Sequence, residues 1–258
     1  MQPLVSIVIA TYNWKEKWFK QTLDSILWQT YKNIEIIIIN DASTNNIEEV
    51  ILKYNKEHNN IVYLKNERNS ERSYSRNRWI FESRWKYIAF CDDDDIWKDK
   101  DKLKKQVKLL EDNEEYVMCW TSMIIIDEND MEVKKNIHIS WNEIIRKSIL
   151  IYNPFALSSV IVRKSVLLYS WLFNSDFNSV EDYDLWLRIG RFWKMCNIRD
   201  SFIFYRTRQG NTSTTSSLKQ RKLSFKSMWN NKKFYPNFLK ALVWRVINML
   251  SYLLSSNS

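Results

Sequence analysis

The 258-residue sequence predicts an α/β fold, a mixed and mainly parallel central sheet flanked by helices and followed by amphipathic C-terminal helices. Three observations predict it. Short β-branched runs alternate with helical periodicities of roughly 10–15 residues, the rhythm of right-handed βαβ units. Those runs are apolar throughout, as strands buried on both faces must be. A composition of 45% hydrophobic and 15% aromatic residues supplies the core of one large domain. Two glycines and three prolines exclude collagen-like and low-complexity classes.

Residues 4–10 (LVSIVIA) and 34–39 (IEIIII) read as strands bounded by polar residues. Between them Trp18, Phe19, Thr22, Leu23, Ile26 and Leu27 recur at i, i+1, i+4, i+5 and make one apolar helical stripe. A polar helix over 46–57, a strand over 61–65, a helix over 73–84 and a strand over 86–90 continue the pattern. After Asp95 the rhythm changes. A helix over 101–112 leads to the apolar run 116–126, a polar turn at Asp127–Asp130 and an alternating, half-exposed strand over 133–139. Helices near 141–149 and 181–193, with strands near 157–162 and 197–205, complete a mixed second half. Residues 206–217 (RTRQGNTSTTSS) have the composition of a loop. Two helices follow, over 217–233 and 235–254. In the second, Phe238, Leu239, Leu242, Val243, Val246, Ile247 and Leu250 form one stripe, with Lys240, Arg245 and Asn248 away from it. The body thus spans 1–215 and a helical tail 216–258.

Charge divides the chain the same way. All 30 acidic residues lie at or before Asp200, whereas ten of the 39 basic ones lie beyond it, so the tail carries the whole surplus of +9. Such a tail suits an anionic surface or substrate. Cys91, Cys119 and Cys196 show no CxxC or Cys/His spacing, which predicts a reducing, cytosolic setting and no zinc site. The N-terminus MQPLVSIVIATYN has no basic region of the secretory kind, and no window offers the roughly 18–20 uncharged apolar residues of a membrane span.

The densest chemical signal is Asp92-Asp93-Asp94-Asp95, directly after the strand over 86–90. Open α/β sheets place ligands at the carboxyl ends of their strands. Four adjacent carboxylates there suit a hard cation such as Mg²⁺ or Mn²⁺ shared with a diphosphate; the alternative is a solvated loop capping the next helix. Asp41 ends the second strand, where it could meet a base or ribose, or cap the helix over 46–57. Thr11, Tyr12 and Asn13 end the first strand at the same edge. Arg72, Arg76 and Arg78, on the third crossover helix, suit phosphate contacts or plain solubility. Glu181-Asp182 opens a helix, as a general base or as complements to its dipole. His58 and His138 have no partner pattern for a triad or zinc site. With Gly190 and Gly210 the only glycines, no Walker loop or GxGxxG fingerprint is possible.

Together these pieces resemble glycosyltransferase family 2 on a GT-A (Rossmann-like) fold. The matching segments are VSIVIATYN (5–13), IIINDAST (37–44), RSYSRNRW (72–79), YIAFCDDDDIW (87–97) and EDYDLWLRI (181–189), in the family's order. Weaker agreement reaches YRTRQGNTS (205–213), and the C-terminal helices lie outside the resemblance. It implies an inverting transferase with Mg²⁺ or Mn²⁺ and a nucleotide-diphosphate sugar, a UDP-sugar favoured, bound by residues of about 1–100, with the acceptor on 101–215. Thr11, Tyr12, Asn13, Asp41, Arg72 or Arg76, Asp92, Asp93 and Arg208 are the implied donor-binding group. Asp94 and Asp92 are the implied metal ligands, with Asp95 in support. Asp182 is the implied base, with Glu181 and Trp186 at the acceptor.

Two departures stand out. Ala42 occupies a position that is usually glycine, and Arg208 one that is often a metal-binding histidine. The QxxRW signature of processive synthases is absent, which favours a single addition to a surface glycan such as lipopolysaccharide or capsule. The rival on the same fold is a catalytically silent sugar-nucleotide or glycan-binding module. A nucleotidyltransferase would need the glycine-rich loop that the chain lacks. The tail suits either an anionic membrane, bringing a peripheral enzyme on the cytoplasmic face to a saccharide or lipid-linked acceptor, or packing on the body or in a homodimer. No nucleic-acid module is present, so no such partner is expected.

Overall fold

A computed structural model describes residues 2–70, 72–82, 85–137, 142–208 and 217–255. The chain runs β1 (Val5–Thr11), α1 (Glu16–Leu27), β2 (Ile34–Asn40), α2 (Ile47–Glu57), β3 (Ile61–Lys65), α3 (Arg72–Glu82), β4 (Tyr87–Phe90) and β5 (Ile96–Trp97). It continues α4 (Lys102–Asp112), β6 (Tyr116–Ile126), β7 (Glu132–Asn136), α5 (Asn142–Ser148), β8 (Ile161–Arg163), α6 (Lys164–Tyr169), α7 (Glu181–Ile189) and β9 (Lys194–Arg206). The helices α8 (Leu218–Asn231) and α9 (Phe238–Ser255) close it. One sheet joins the strands in the order β3-β2-β1-β4-β8-β6-β9-β5, with β7 paired to β6. Strands β3, β2, β1 and β4 are parallel; β8 runs antiparallel between β4 and β6. The mixed, mainly parallel sheet is therefore present. The two-residue β5 and the six-residue α6 lacked a sequence signal, being too short to show a period. Residues 138–141, 209–216 and Arg72's side chain, on which parts of the sequence reading rest, lie outside the described residues.

Alternation along β1 and β2 builds a core on each side of the sheet. Val8, Ile37 and Ile39 face one apolar cluster, while Ile7, Ile9, Ile36 and Ile38 face the other. The tail joins the first. Met228, Tyr235 and Ala241 pack in the same cluster as Tyr183 and Trp186. Ser217 and Gln220 start α8 with a reciprocal capping box. Ser227 donates to Asp184 at 2.9 Å, and the Tyr235 hydroxyl to the Leu187 carbonyl at 2.7 Å. Gly190 ends α7 under that tyrosine, where any Cβ would collide with the Tyr235 hydroxyl and the Met195 methyl.

The α9 stripe divides in a way the periodicity did not foretell. Ala241 is fully buried and Phe238 packs on the core, whereas Leu239 is 73% and Ile247 59% exposed, with Val243, Val246 and Leu250 beside them. Arg245 turns inward instead, donating to the Leu150 carbonyl at 2.9 Å and the Tyr183 hydroxyl at 2.6 Å. A close helix approach favours the small Ala241, and a guanidinium over a tyrosine ring satisfies a buried hydroxyl that leucine could not. Among the described residues no helix is long and apolar enough to cross a membrane.

Candidate active site

The carboxyl ends of β1, β2 and β4 end at one rim, and the loops after them bond to each other. Asp41 N–H donates to the Thr11 carbonyl at 2.9 Å. Asn13 accepts from Thr44 N–H at 2.7 Å, and its own N–H donates to Ser43 Oγ at 3.0 Å. Asn13 and Ala42 both take left-handed backbone, φ 55° and 61°. Asparagine tolerates that region; alanine is strained there, which accounts for the glycine usual at this position. Ala42→Gly is expected to raise stability by about 0.5–1 kcal/mol, seen as a higher Tm, because relief of strain outweighs the added chain entropy.

Asp41 is buried, and three donors converge on its Oδ1: Asn66 Nδ2 at 2.6 Å, Ser70 N–H at 3.0 Å and Ser75 Oγ at 3.1 Å. It lines a cavity of about 340 Å³ together with Thr11, Tyr12, Trp14 and Asp93. The Thr11 hydroxyl and the Trp14 indole N–H are buried there with no hydrogen-bond partner among the described residues. Both residues line the cavity, and polar groups left unmatched beside it are uncommon in a settled core. Asn13 braces the loops after β1 and β2 at the same rim.

A cleft of about 710 Å³ adjoins this cavity; Ala10, Trp14, Asp93, Ser179 and Glu181 line both. Into it project Asp92, Asp93 and Asp94 from the loop after β4, Glu181 and Asp182 from the start of α7, and Arg208 after β9. Positions 41, 94 and 182 therefore share one connected hollow at the sheet's rim.

The carboxylates differ in setting. Burial, then repulsion from Asp93 and Asp92, raises the Asp94 carboxyl to about 8 against the pull of Arg208 and Arg206. Asp95 is fully buried and also held well above the ordinary range, by burial first and then by Asp94. It accepts from Ser158 Oγ and from Arg206 N–H at 2.8 Å, a support beneath the loop. The half-buried Asp182 is raised to about 7, mainly by burial and next by Glu181, while Tyr183 N–H and Arg76 oppose the rise. Its Oδ2 accepts from Asn153 at 3.1 Å. Arg76 is buried between the two acidic groups, 3.0 Å from Asp92 and 3.1 Å from Glu181.

Three participants lacked a sequence signal. Arg206 is the least expected: wholly buried, it donates to the Asp94 carbonyl at 2.9 Å, to Asp130 at 2.6 Å and to Gln21 at 3.1 Å. It thereby ties the acidic loop to α1 and the β6–β7 turn. Ser158 accepts from Asp92 N–H at 2.9 Å. Trp14 lies under Arg208 at 3.9 Å. Trp186 needs the opposite correction. It is fully buried among Phe90, Phe155 and Phe173 and cannot meet an acceptor, since α7 turns its largest apolar ring into the core.

No three His, Cys, Asp or Glu side chains among the described residues converge as a ready-made metal cage. The repulsion concentrated on Asp94 nonetheless fits an added positive charge, and Arg208 Nε, 4.0 Å from Asp94, supplies part of one. Asp92 and Asp94 are the residues that could hold a divalent cation.

Comparison with known proteins agrees with this geometry. Residues 6–169 match Glycosyl transferase family 2. An uncharacterized glycosyltransferase of Methanocaldococcus jannaschii, MJ1057, is 33% identical over 95% of this chain and 85% of its own. The Escherichia coli UDP-Glc:alpha-D-GlcNAc-diphosphoundecaprenol beta-1,3-glucosyltransferase WfaP is 34% identical over 81% of this chain and 80% of its own. Among solved structures, S. aureus TarS 1–349 with UDP-GlcNAc superposes at a TM-score of 0.70 and 19% identity, over 85% of this chain and 64% of TarS 1–349. The mannosyltransferase PcManGT of Pyrobaculum calidifontis, with GDP-Man and Mn²⁺, superposes at 0.67 and 14% identity, over 100% of this chain and 77% of its own. A parallel-stranded rim carrying Asp41, the acidic loop and Asp182 in one hollow, on the GT-A fold and with relatives of this similarity, makes the chain a glycosyltransferase belonging to family 2.

Proposed function

We propose that this enzyme moves a single sugar from a nucleotide-diphosphate sugar, a UDP-sugar favoured, to an acceptor hydroxyl with inversion, in the synthesis of a surface glycan. The observation that carries the reading is the continuous hollow joining Asp41, Asp94 and Asp182. Thr11, Tyr12 and Asp41 bind the nucleoside; Arg208 faces the diphosphate beside Asp94. A divalent cation held by Asp94 and Asp92 supplies, when bound, compensation for charge on the leaving diphosphate. Asp182 takes the proton of the acceptor hydroxyl as its oxygen attacks the anomeric carbon; the bond to the diphosphate breaks and its electron pair leaves with the nucleotide. Attack opposite the leaving group inverts the centre. A base raised to about 7 is well matched to that proton at neutral pH. WfaP, by its name a glucosyltransferase acting on a diphosphoundecaprenol-linked acceptor, supports a lipid-linked acceptor here.

A thermal-shift series with UDP-GlcNAc, UDP and GDP-Man, with and without Mn²⁺, tests the donor assignment. A selective, Mn²⁺-dependent rise in Tm is expected. Donor hydrolysis or transfer that retains the anomeric configuration would defeat the inverting reading.

The tail supports a peripheral position on the cytoplasmic face of an anionic membrane. Leu239, Val243, Ile247 and Leu250 line one exposed face of α9, and no acidic side chain occurs beyond Asp200 to oppose a negative surface. Free, buried Cys91, Cys119 and Cys196 agree with a reducing compartment. Ile247→Glu with Leu250→Glu is expected to abolish co-sedimentation with phosphatidylglycerol vesicles at unchanged Tm. A dimer that dissociates in the same variant, without vesicle binding by the parent, would assign the face to a second copy instead.

A further inference from the structure

We propose that the end of the cleft walled by α8 and α9 is a phosphate subsite for the acceptor, where Arg221 and Arg245 bind a phosphate or diphosphate ester carried on an apolar chain. This rests on the glycosyl-transfer reading above and extends it to the half of the cleft that the family resemblance does not reach.

The cleft is charged oppositely at its two ends. At the rim of the sheet stand Asp92, Asp93 and Asp94; the wall contributed by α8 and α9 presents Arg221 and Arg245, and none of its described lining residues is a carboxylate. Both guanidinium groups are held in place. Arg245 donates to the Leu150 carbonyl and the Tyr183 hydroxyl and lies 5.2 Å over the Tyr183 ring. Arg221 donates to the Asn248 carbonyl at 3.2 Å, one helical turn beyond Arg245 on α9, and lies 4.7 Å over Tyr252. Anchored, planar guanidinium groups suit phosphate oxygens, since little side-chain freedom is lost on binding.

Their position gives the pair its role. Tyr183 directly follows Asp182, and Asn153, which donates to Asp182, lies three residues after the Leu150 that receives Arg245. An anion held by the pair is therefore on the base's side of the cleft and apart from the acidic loop. A neutral sugar attached to it spans the interval to Asp182, while Trp244 and Met249 give its apolar chain a wall. The outward face of the same helix carries Leu239, Val243 and Ile247 for the remainder of the chain.

Geranyl diphosphate is the probe, titrated by calorimetry into the full-length protein in EDTA so that the acidic loop holds no cation. Binding by the parent is expected, with at least a tenfold loss in Arg221→Ala, partial recovery in Arg221→Lys and no loss in Asp94→Ala. Should Arg221→Ala not fold, Arg245→Lys, which keeps the charge and removes the planar fork, is expected to show the loss. Equal affinity in the parent and the arginine variants overturns the subsite, as does a loss shared by Asp94→Ala, which would put the probe in the donor site. Equal binding of monomeric dihexanoyl phosphatidylglycerol also overturns it, marking a lipid-headgroup site. Retained anomeric configuration would sink the inverting mechanism and leave this result standing, so the two can fail separately.

Discussion

Asp182→Asn is expected to lower kcat by about 10³-fold, or ~4 kcal/mol of barrier, while leaving donor affinity within about twofold of the parent. The amide keeps the volume, and its one oxygen can still accept from Tyr183 N–H, so the start of α7 is preserved while the bond from Asn153 and the proton acceptor are lost. Transfer to acceptor measures the first quantity and calorimetry with donor the second. Turnover within about tenfold of the parent would remove Asp182 as the base. The pH profile adds an independent check. A carboxyl raised to about 7 must be ionised to act, so kcat/KM is expected to fall about tenfold per pH unit below 7 and to level above it. Burial is the principal cause and Glu181 the next, so Glu181→Gln is expected to move the inflection to lower pH.

Asp94→Ala is expected to act with opposite signs on stability and donor binding. The native carboxyl sits at about 8 against an ordinary 3.8, so the folded chain holds a proton that the unfolded chain has lost. Its contribution to stability is complete below about 4 and lost as pH rises through about 8, where burial and repulsion from Asp93 and Asp92 act on the full charge. Removing the carboxyl is expected to raise the metal-free Tm at pH 8 by roughly 2–4 °C. The same change is expected to weaken Mn²⁺-dependent binding of the preferred nucleotide sugar about a hundredfold, ~2.7 kcal/mol. Equal donor affinity with and without Mn²⁺ in the parent would contradict the assignment, and a Tm that falls at pH 8 would contradict the electrostatics.

Much of this was legible in the order of residues. Period-two and period-3.6 patterns report which face of an element is buried, and they placed β1 to β4 and the crossover helices, together with the parallel sheet whose rim carries Asp41 and Asp92–Asp95. The family resemblance, carried by motifs that end or begin elements of the sheet, added Asp182, which its local sequence alone left open between a base and a complement to the helix dipole. The roles of individual arginines were not legible. Arg76, Arg206 and Arg245 have the same local signature as any surface arginine, yet each is drawn inward by partners distant in the chain: Asp92 with Glu181, the Asp94 carbonyl with Asp130, and Leu150 with Tyr183.

Trp186 shows the converse. The family resemblance implied a role at the acceptor, and whether an aromatic ring serves a ligand or a core depends on Phe90, Phe155 and Phe173, contributed by three separate segments. The α9 helix was predicted as a single stripe. Its division between a buried Ala241–Arg245 side and an exposed leucine, valine and isoleucine side was decided by the surface of α7 and α8 beneath it. By itself the sequence determined the α/β rhythm, the acidic loop and the one-sided charge, because hydrophobic periodicity and net charge are local or additive. Tertiary structure alone decided which charges meet, since Coulombic and hydrogen-bond partners are chosen by distance in space and not along the chain.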